Sequence, residues 1–526
     1  MPENSKTPGE NKHYRWTLLT LAVAAFIVFV YFFGLTIPLV GPDEPRYAQV
    51  AREMFEQSDW VTPTLGGYNW FEKPALLYWL QIASYNIFGV SEFAARFGSA
   101  LFGLGTIASL WVLGRNVAAD KIGNSADYFG NLLALISASS IGIIVFSRGA
   151  SFDIILTFPI TASLVSFYLF DRAETRSPGR VDSAHRSPRS FPTGSVALAG
   201  FYFFIGIAIL AKGLVGIVFP FAIVTFYHLL SWKMPSRMLI LSVFWGTLLS
   251  VLVASAWYLP MYLTNGWKFV DEFFIQHHFQ RYTSNKYFHP QPFYFFLWVL
   301  PLMTIPWLPF LFAGLWTSVR EVISRKEAKT QSADTEIRSL RLFAFAWLLV
   351  PLAFFSFSGS KLPGYILPAL PPCLIIITIY VSRFAVRDGK RRSLIVGLSA
   401  ATFAVIVGLL IFALPKFADD DSVKRLISEA DARGFRNAEV LSQHAISHNA
   451  EFYAAGRLLR SPDGKQMRLY TPAEILDEIR RRGGETVLVL VPNEWAHQTL
   501  ESPLLAAEFI TKNGEHSIIA ASEHQP

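Results

Sequence analysis

The first candidate for chemistry is a charged run that directly follows the first long apolar segment. Residues 41–47 read Gly-Pro-Asp-Glu-Pro-Arg-Tyr and combine two carboxylates, a guanidinium and a phenol. Apolar side chains at helical spacing over 47–57 predict a helix along a membrane surface, with Asp43 at its N-cap. Capping alone would account for Asp43. It does not explain why Glu44 and Arg46 also stand at a membrane boundary.

A second charged pair, Glu72-Lys73, is flanked by aromatic residues and followed by Pro74. Pro74 predicts the start of another interfacial helix over 75–88. Exposed ion pairs contribute little to stability, and aromatic flanks place this pair at the level of lipid headgroups. A lysine there suits a phosphate-bearing lipid, whereas a glutamate suits a metal ion or a polarised hydroxyl.

Further charged positions lie at the ends of apolar segments, where charge is costly and usually functional or paired. Asp153 follows Arg148, and an ion pair between the two is the alternative to a functional role. Lys212 stands in a short turn between apolar runs, where phosphate binding is the better interpretation. Lys361 and Tyr365 lie in a similar turn.

The composition is that of a membrane protein. Of 526 residues, 52% are hydrophobic and 16% charged, against about 25% charged in soluble domains. Lys and Arg cluster in alternate loops, which explains the net charge of +7 by membrane orientation rather than nucleic-acid binding. The single cysteine excludes an internal disulfide and a cysteine zinc cluster. About eleven apolar runs can span a bilayer, near 16–38, 92–114, 128–147, 151–170, 197–211, 214–231, 239–262, 292–317, 342–358, 364–382 and 393–414.

The charge pattern also predicts the orientation and the domains. The basic loops mark the cytoplasmic face, so an odd number of spans puts the C-terminal tail outside. We predict a cytoplasmic segment over 1–15, a membrane domain over 16–415 with its first outer loop over 39–91, and an extracytoplasmic α/β domain over 416–526. In that domain, 440–442 and 487–491 read as strands. Thr471-Pro472-Ala473-Glu474 forms a capping box that opens a helix.

The order of these motifs resembles a known family. The chain is similar to the bacterial lipid A aminoarabinose transferases, GT-C glycosyltransferases related to protein O-mannosyltransferases. The resemblance covers essentially the whole chain. It implies a polytopic helical membrane protein that transfers a sugar, with inversion, from an undecaprenyl-phosphate carrier to a glycolipid acceptor at the outer face of the bacterial inner membrane. The motifs that carry it are Asp43-Glu44-Pro45-Arg46-Tyr47, Ala51-Arg52-Glu53-Met54, Asp59-Trp60-Val61, Phe71-Glu72-Lys73-Pro74, Asp153, Lys212-Gly213, His278-Phe279-Gln280-Arg281-Tyr282 and Lys361-Leu362-Pro363-Gly364-Tyr365.

The resemblance also implies roles for these residues. Asp43, with Glu44 beside it, is expected to be the catalytic carboxylate. Glu72 and His278 match positions that bind a divalent ion, zinc, in a relative, although two protein ligands alone make a weak zinc site. The residues expected to bind substrate are Arg46, Tyr47, Lys73, Asp153, Lys212, Lys361 and Tyr365.

Other functions stay open at this point. A protein O-glycosyltransferase would share the same framework and differ only in its acceptor. A transporter would place charged residues and broken helices near the bilayer midplane, often in repeated halves, whereas here the charges gather in outer loops. A structural anchor for the tail would leave the charges of the first loop unexplained.

Overall fold

The protein is a bundle of apolar helices that carries a small sheet domain at its C-terminus. The computed structural model describes residues 8–117, 126–176, 194–280, 290–323 and 332–524. Apolar runs become helices because a backbone in lipid must satisfy its hydrogen bonds within its own segment. The helices of the membrane part are α1 Pro8–Phe32, α2 Asp43–Glu56, α3 Leu76–Phe88, α4 Glu92–Asn116, α5 Ala126–Ala138, α6 Ile141–Ser147, α7 Phe152–Arg176, α8 Gly194–Lys212, α9 Val215–Ser231, α10 Arg237–Val270, α11 Phe295–Met303, α12 Leu308–Ile323, α13 Ser332–Ser356, α14 Leu370–Val386 and α15 Gly389–Gly408.

Several segments extend or join these helices. A π-helical turn over Asp271–Gln280 continues α10, and a 3₁₀-helix over Pro363–Ala369 leads into α14. Another π-helical turn over Leu409–Ala413 joins α15 to α16, Leu414–Asp421. The predicted start of the extracytoplasmic domain, residue 416, therefore falls within a helix that continues from the membrane part.

The number of membrane crossings depends on how bent helices are counted. Among the described residues, seven helices are long and apolar enough to cross a bilayer, or nine when each of two bent pairs is one span. The pairs α5–α6 and α11–α12 bend by 61° and 113°, where continuous spans over 128–147 and 292–317 were expected. Two shorter apolar stretches, Thr20–Phe32 and Val215–Ser231, match two more expected spans. Eleven crossings are reached only if these also span.

Residues 39–91 contain the two expected helices, α2 and α3. Helix α2 buries Tyr47, Val50 and Met54 in the main core, which is the apolar face that its spacing predicts. The expected N-cap role of Asp43 is wrong. The cap position is Pro42, no side chain caps the helix, and Asp43 is the first helical residue.

A short hairpin, β1 Thr64–Leu65 and β2 Tyr68–Asn69, connects α2 to α3. Glu53 of α2 fixes this hairpin by accepting hydrogen bonds from the amides of Gly66, at 2.6 Å, and Gly67, at 3.1 Å. A side chain of the C-terminal domain, Arg460, occupies the space where a Cβ at Gly66 would lie. In the opposite direction, the Tyr68 ring occupies the space beside Gly464. The hairpin and the C-terminal domain therefore interlock.

The C-terminal domain is built on a five-stranded sheet in the order β4-β3-β5-β7-β6. The parallel pairs are β3–β4 and β3–β5, whereas β7 runs antiparallel to β5 and β6. Strand β5 is apolar on both faces because a buried cluster covers each side of the sheet. The elements are α17 Lys424–Ala430, β3 Val440–Gln443, α18 Ala450–Tyr453, β4 Arg468–Leu469, α19 Pro472–Arg481, β5 Val487–Pro492, α20 Ala496–Leu500, β6 Leu505–Lys512 and β7 His516–Glu523.

Local signals in this domain predict its structure well. Strands β3 and β5 each extend one residue beyond the expected bounds. Thr471 caps α19, and its side chain accepts a hydrogen bond from the amide of Glu474 at 3.3 Å. The Glu474 carboxylate in turn accepts from the amide of Tyr470 at 2.6 Å, which is a capping box displaced by one residue.

Candidate active site

A cavity of about 190 Å³ collects most of the residues that the sequence singles out. Its wall is assembled from the start of α2, the loop before α3, the start of α7, the end of α8 and the turn before α14. These segments are far apart in sequence, so only the fold brings them together. The predicted residues that line it are Asp43, Glu44, Tyr47, Lys73, Asp153, Lys212 and Tyr365.

Asp43 is the carboxylate best placed to act on a ligand. Its Oδ1 accepts a hydrogen bond from Nη2 of Arg46, one helical turn further on, at 2.6 Å. The Arg46 guanidinium also donates to the carbonyl of Pro42 at 2.9 Å and lies 5.8 Å from the centre of the Trp70 ring. The side chain of Asp43 remains 50% exposed. Arg46 thus orients a carboxylate that is still accessible from the cavity.

Glu44, the neighbouring carboxylate, is fully engaged with the protein. The guanidinium of Arg96 binds it through both oxygens, at 2.8 and 2.7 Å. The amides of Ala150, at 2.8 Å, and Val40, at 3.2 Å, donate to the same two oxygens. The side chain of Glu44 is only 12% exposed. This geometry suits a residue that holds the loop in place better than one that reacts.

Asp153 and Lys212, which also line the cavity, form an ion pair with both side chains 18% exposed. The Lys212 ammonium also lies 4.8 Å from the centre of the Tyr365 ring. A Cβ added to Gly364 would overlap the Asp153 carboxylate. The motif over 361–365 thus contributes two features to the site. Tyr365 presents its ring to Lys212, and Gly364, which lacks a side chain, leaves room for the Asp153 carboxylate.

The alternative pairing of Asp153 with Arg148 is wrong. Arg148 instead donates to the carbonyl of Val30, at 2.7 Å, and to that of Phe33. These carbonyls lie at the C-terminal end of α1, where a positive charge is favourable. Arg148 therefore ties α1 to the end of α6, and Asp153 pairs with Lys212 instead.

Lys361 does not line the cavity, although the next residue, Leu362, does. Its buried ammonium donates to the carbonyls of Ser358, at 2.6 Å, and Gln291, at 3.0 Å. These contacts shape the turn that Lys361 belongs to, and its expected contact with substrate stays a prediction.

Tyr47 contributes a buried hydroxyl to the cavity. Its ring packs edge-on against Phe152 with centroids 4.9 Å apart. Burial raises the pKa of Tyr47 well above its usual range, and the nearby carboxylates of Asp43 and Glu72 raise it further. The hydroxyl therefore stays protonated at neutral pH and can donate a hydrogen bond to an anionic ligand.

The described residues do not make a metal centre. Within the described ranges, no group of three or more His, Cys, Asp or Glu side chains is close enough to bind one ion. Glu72 lies near Arg46 and Tyr47. The side chain of His278 lies outside the described residues. The zinc site at Glu72 and His278 stays a prediction, and no step below depends on a metal.

Some residues that shape the site were not predicted from the sequence. Arg96 stands inside the apolar run 92–114, and an arginine at such a position signals a paired or functional charge. Asp421 and Tyr453, from the C-terminal part, contact the backbone just before Asp43. They carry no comparable signal, since polar residues are ordinary in a solvated domain.

Comparisons with known proteins agree with the fold and the motifs. Residues 16–276, just under half of the chain, match the family model of dolichyl-phosphate-mannose-protein mannosyltransferases. An undecaprenyl phosphate-alpha-4-amino-4-deoxy-L-arabinose arabinosyl transferase of Yersinia enterocolitica is 30% identical over 74% of this chain. The chain spans about 64% of the length of that relative.

Solved structures show the same architecture. ArnT from Cupriavidus metallidurans, bound to undecaprenyl phosphate, superposes with a TM-score of 0.71 and 23% identity, covering 96% of this chain and 98% of its own. The oligosaccharyltransferase of Archaeoglobus fulgidus superposes with a TM-score of 0.53 and 14% identity, covering 91% of this chain and 69% of its own.

The fold is that of a multi-pass helical membrane protein of the GT-C type. Over about three quarters of its length, the chain is similar to the aminoarabinose transferases. The resemblance carried by the motifs is thereby confirmed.

Proposed function

We propose that the protein is an inverting glycosyltransferase that moves a sugar from a polyprenyl-phosphate carrier to a glycolipid, lipid A or lipopolysaccharide. The observation that carries the proposal is the composition of one cavity. It combines a half-exposed carboxylate, Asp43, with the ammonium of Lys212, and Lys73 also lies in the wall. Two apolar helices, α7 and α8, have one end at this cavity, as a site for a lipid-linked phosphate requires.

The proposed chemistry follows from the donor. An acceptor oxygen attacks the anomeric carbon while the bond from that carbon to the phosphate oxygen breaks, and the polyprenyl phosphate leaves with the electron pair. Lys73 and Lys212 stabilise the negative charge on this leaving group. Asp43, oriented by Arg46, takes the proton of an acceptor hydroxyl. When the acceptor is itself a phosphate, no proton has to be removed and Asp43 only orients it.

This mechanism gives separate roles to the two carboxylates of the loop. Asp43 is proposed as the catalytic residue because its side chain is half exposed and is oriented by a hydrogen bond from Arg46. Glu44 is proposed to position the loop through Arg96. Tyr47 and Tyr365 are proposed to contact the donor, one by its hydroxyl and the other by its ring.

The names of the relatives support the choice of donor. The Yersinia enterocolitica protein is named as an arabinosyl transferase of undecaprenyl phosphate-linked 4-amino-4-deoxy-L-arabinose. The distribution of Lys and Arg supports insertion in the bacterial inner membrane, with a cytoplasmic N-terminus and a periplasmic C-terminal domain. Under this orientation, the cavity opens at the face where the acceptor lipid is found.

A protein acceptor is the second candidate, because residues 16–276 match a family named for protein mannosylation. The decisive experiment compares a deletion strain complemented with the wild type, with Asp43→Asn or with Asp43→Ala. We expect a sugar-sized mass increase on lipid A or lipopolysaccharide only with the wild type, measured by mass spectrometry. An unchanged glycolipid profile with a lost protein glycoform would favour the protein acceptor. Sugar carrier accumulating on one side of the membrane would favour a transporter.

A further inference from the structure

The turn that precedes α2 is held from two sides. From the membrane part, Arg96 donates to the carbonyls of Leu35 and Pro38, both at 3.1 Å. From the C-terminal part, the Tyr453 hydroxyl accepts the amide of Leu39 at 2.8 Å. These contacts fix a segment that ends only a few residues before Asp43.

The last residue held in this way is Gly41. Its amide donates to Oδ2 of Asp421 at 3.2 Å. Gly41 has a φ of +67°, a conformation that other residues adopt only with strain. No atom lies within 4 Å of where its Cβ would be, so glycine serves the backbone conformation here rather than a close approach. The acceptor that stabilises this conformation comes from the end of α16, 380 residues away.

Both acceptors are themselves held firmly. The Tyr453 hydroxyl donates its hydrogen to Oε1 of Glu92 at 3.1 Å. Its oxygen is therefore left to accept the hydrogen bond from the amide of Leu39. Oδ2 of Asp421 accepts a second hydrogen bond, from Nδ2 of Asn449, at 3.2 Å. Burial raises the pKa of Tyr453 far above its usual range, so the hydroxyl does not ionise at any physiological pH.

We infer that Tyr453 and Asp421 are positioning residues for Asp43, so that the C-terminal domain is a working part of the active site. The inference rests on the proposed transfer reaction, because it takes Asp43 as the catalytic carboxylate. Neither residue reaches the reacting atoms. Each sets the path of the backbone from which Asp43 projects, and a shift of about 1 Å in a reacting group can cost about 100-fold in rate.

The interface offers a matched control. Lys424, on α17, pairs with Glu92 at 2.7 Å and also ties the C-terminal domain to the membrane part. It shares Oε1 of Glu92 with the Tyr453 hydroxyl, but among the described residues it makes no hydrogen bond or ion pair to the turn before α2. Lys424→Gln removes the ion pair with Glu92 and should weaken the docking of the C-terminal domain about as much as the loss of any other single contact. The hydrogen bonds from the amides of Leu39 and Gly41 should stay in place.

The test uses the purified full-length protein in lipid nanodiscs, with a polyprenyl-phosphate sugar donor and a lipid A acceptor. We expect Tyr453→Phe and Asp421→Ala to lower kcat roughly 10- to 100-fold, with a donor KM within about two-fold of the wild type. Asp421→Asn keeps an oxygen acceptor and should restore most of kcat. Lys424→Gln should stay close to the wild type. An equal loss in Lys424→Gln, or no rescue by Asp421→Asn, would overturn the inference in favour of general docking.

A second measurement does not depend on the reaction. Hydrogen–deuterium exchange of a peptide covering residues 37–43 should become at least several-fold faster in Tyr453→Phe and in Asp421→Ala than in the wild type or Lys424→Gln. Unchanged exchange would show that these residues do not hold the turn. If the wild type transfers no sugar, the proposed function fails, while the exchange experiment still decides whether the turn is positioned from the C-terminal domain.

Discussion

The ammonium of Lys212, the last residue of α8, is bound to the carboxylate of Asp153, the second residue of α7, and lies over the ring of Tyr365. The pair is mostly buried at the wall of the cavity. Because both contacts hold the ammonium of Lys212, it is oriented before a ligand binds. It can bind a phosphate while it keeps its contacts with Asp153 and Tyr365.

Removing either partner of this pair should destabilise the protein. Asp153→Asn or Lys212→Met leaves an uncompensated charge, and we expect a cost of roughly 1–3 kcal/mol, below the roughly 3–5 kcal/mol typical of fully buried pairs. The double variant should lose less than the sum of the two. Thermal unfolding in nanodiscs measures the stability, and glycosyl transfer should remain low in all three variants. Transfer restored in the double variant would contradict a role for Lys212 with the donor.

Gly364→Ala should displace the Asp153 carboxylate, because the added methyl group would overlap it. Overpacking of this kind costs about 1–3 kcal/mol, and we expect transfer to fall by about ten-fold or more. Gly397→Ala is the matched control, because no atom lies within 4 Å of its added Cβ. Equal activity of the two variants would mean that the position of Asp153 does not matter.

The two carboxylates of the first loop should separate stability from catalysis. Glu44→Gln breaks a buried bidentate pair with Arg96, and we expect it to cost roughly 3–5 kcal/mol. Asp43→Asn should leave the unfolding temperature close to that of the wild type while transfer falls below detection. A stable and fully active Asp43→Asn would remove Asp43 from the chemistry.

The pKa of His448 predicts how the stability of the folded protein depends on pH. Burial lowers the pKa of His448, the nearby Arg46 lowers it further, and Asp43 partly opposes this. A lowered pKa means that the folded state favours neutral imidazole, so the unfolded state takes up the proton first as pH falls through the ordinary value of 6.5. The contribution of neutral His448 to stability should therefore be fully present above pH 6.5 and be lost as the pH falls below it. The unfolding equilibrium constant should rise by at most about ten-fold per pH unit.

The measurement for His448 is thermal unfolding from about pH 7.5 to about pH 5.5 in wild type and His448→Gln. The wild type should lose stability more steeply with acid than the variant. His516 has a pKa that burial also lowers, but Glu515 and Asp421 act on it instead of Arg46 and Asp43, and His516→Gln serves as the comparison. A pH profile that is the same in wild type and His448→Gln would contradict this assignment.

Local sequence patterns predicted the helices that form the site, whereas the contacts between residues far apart in sequence were not predicted. Apolar spacing located α2, and Pro74 located the start of α3, because both signals act within a few residues. The bend between α5 and α6 gave no signal, since the apolar run continues through it. The pair of Asp153 with Lys212 joins residues 59 positions apart, and a charge in an apolar turn indicates a partner without naming it.

The interlocked hairpin restricts how this protein can be recombined with its relatives. Arg460 occupies the space beside Gly66, and Tyr68 occupies the space beside Gly464. A chimera would meet a steric clash if its C-terminal domain came from a relative with a larger residue at position 464, or its hairpin from one with a larger residue at position 66. Segments 64–69 and 460–464 should therefore be exchanged together, and a natural substitution in one should be accompanied by a change in the other.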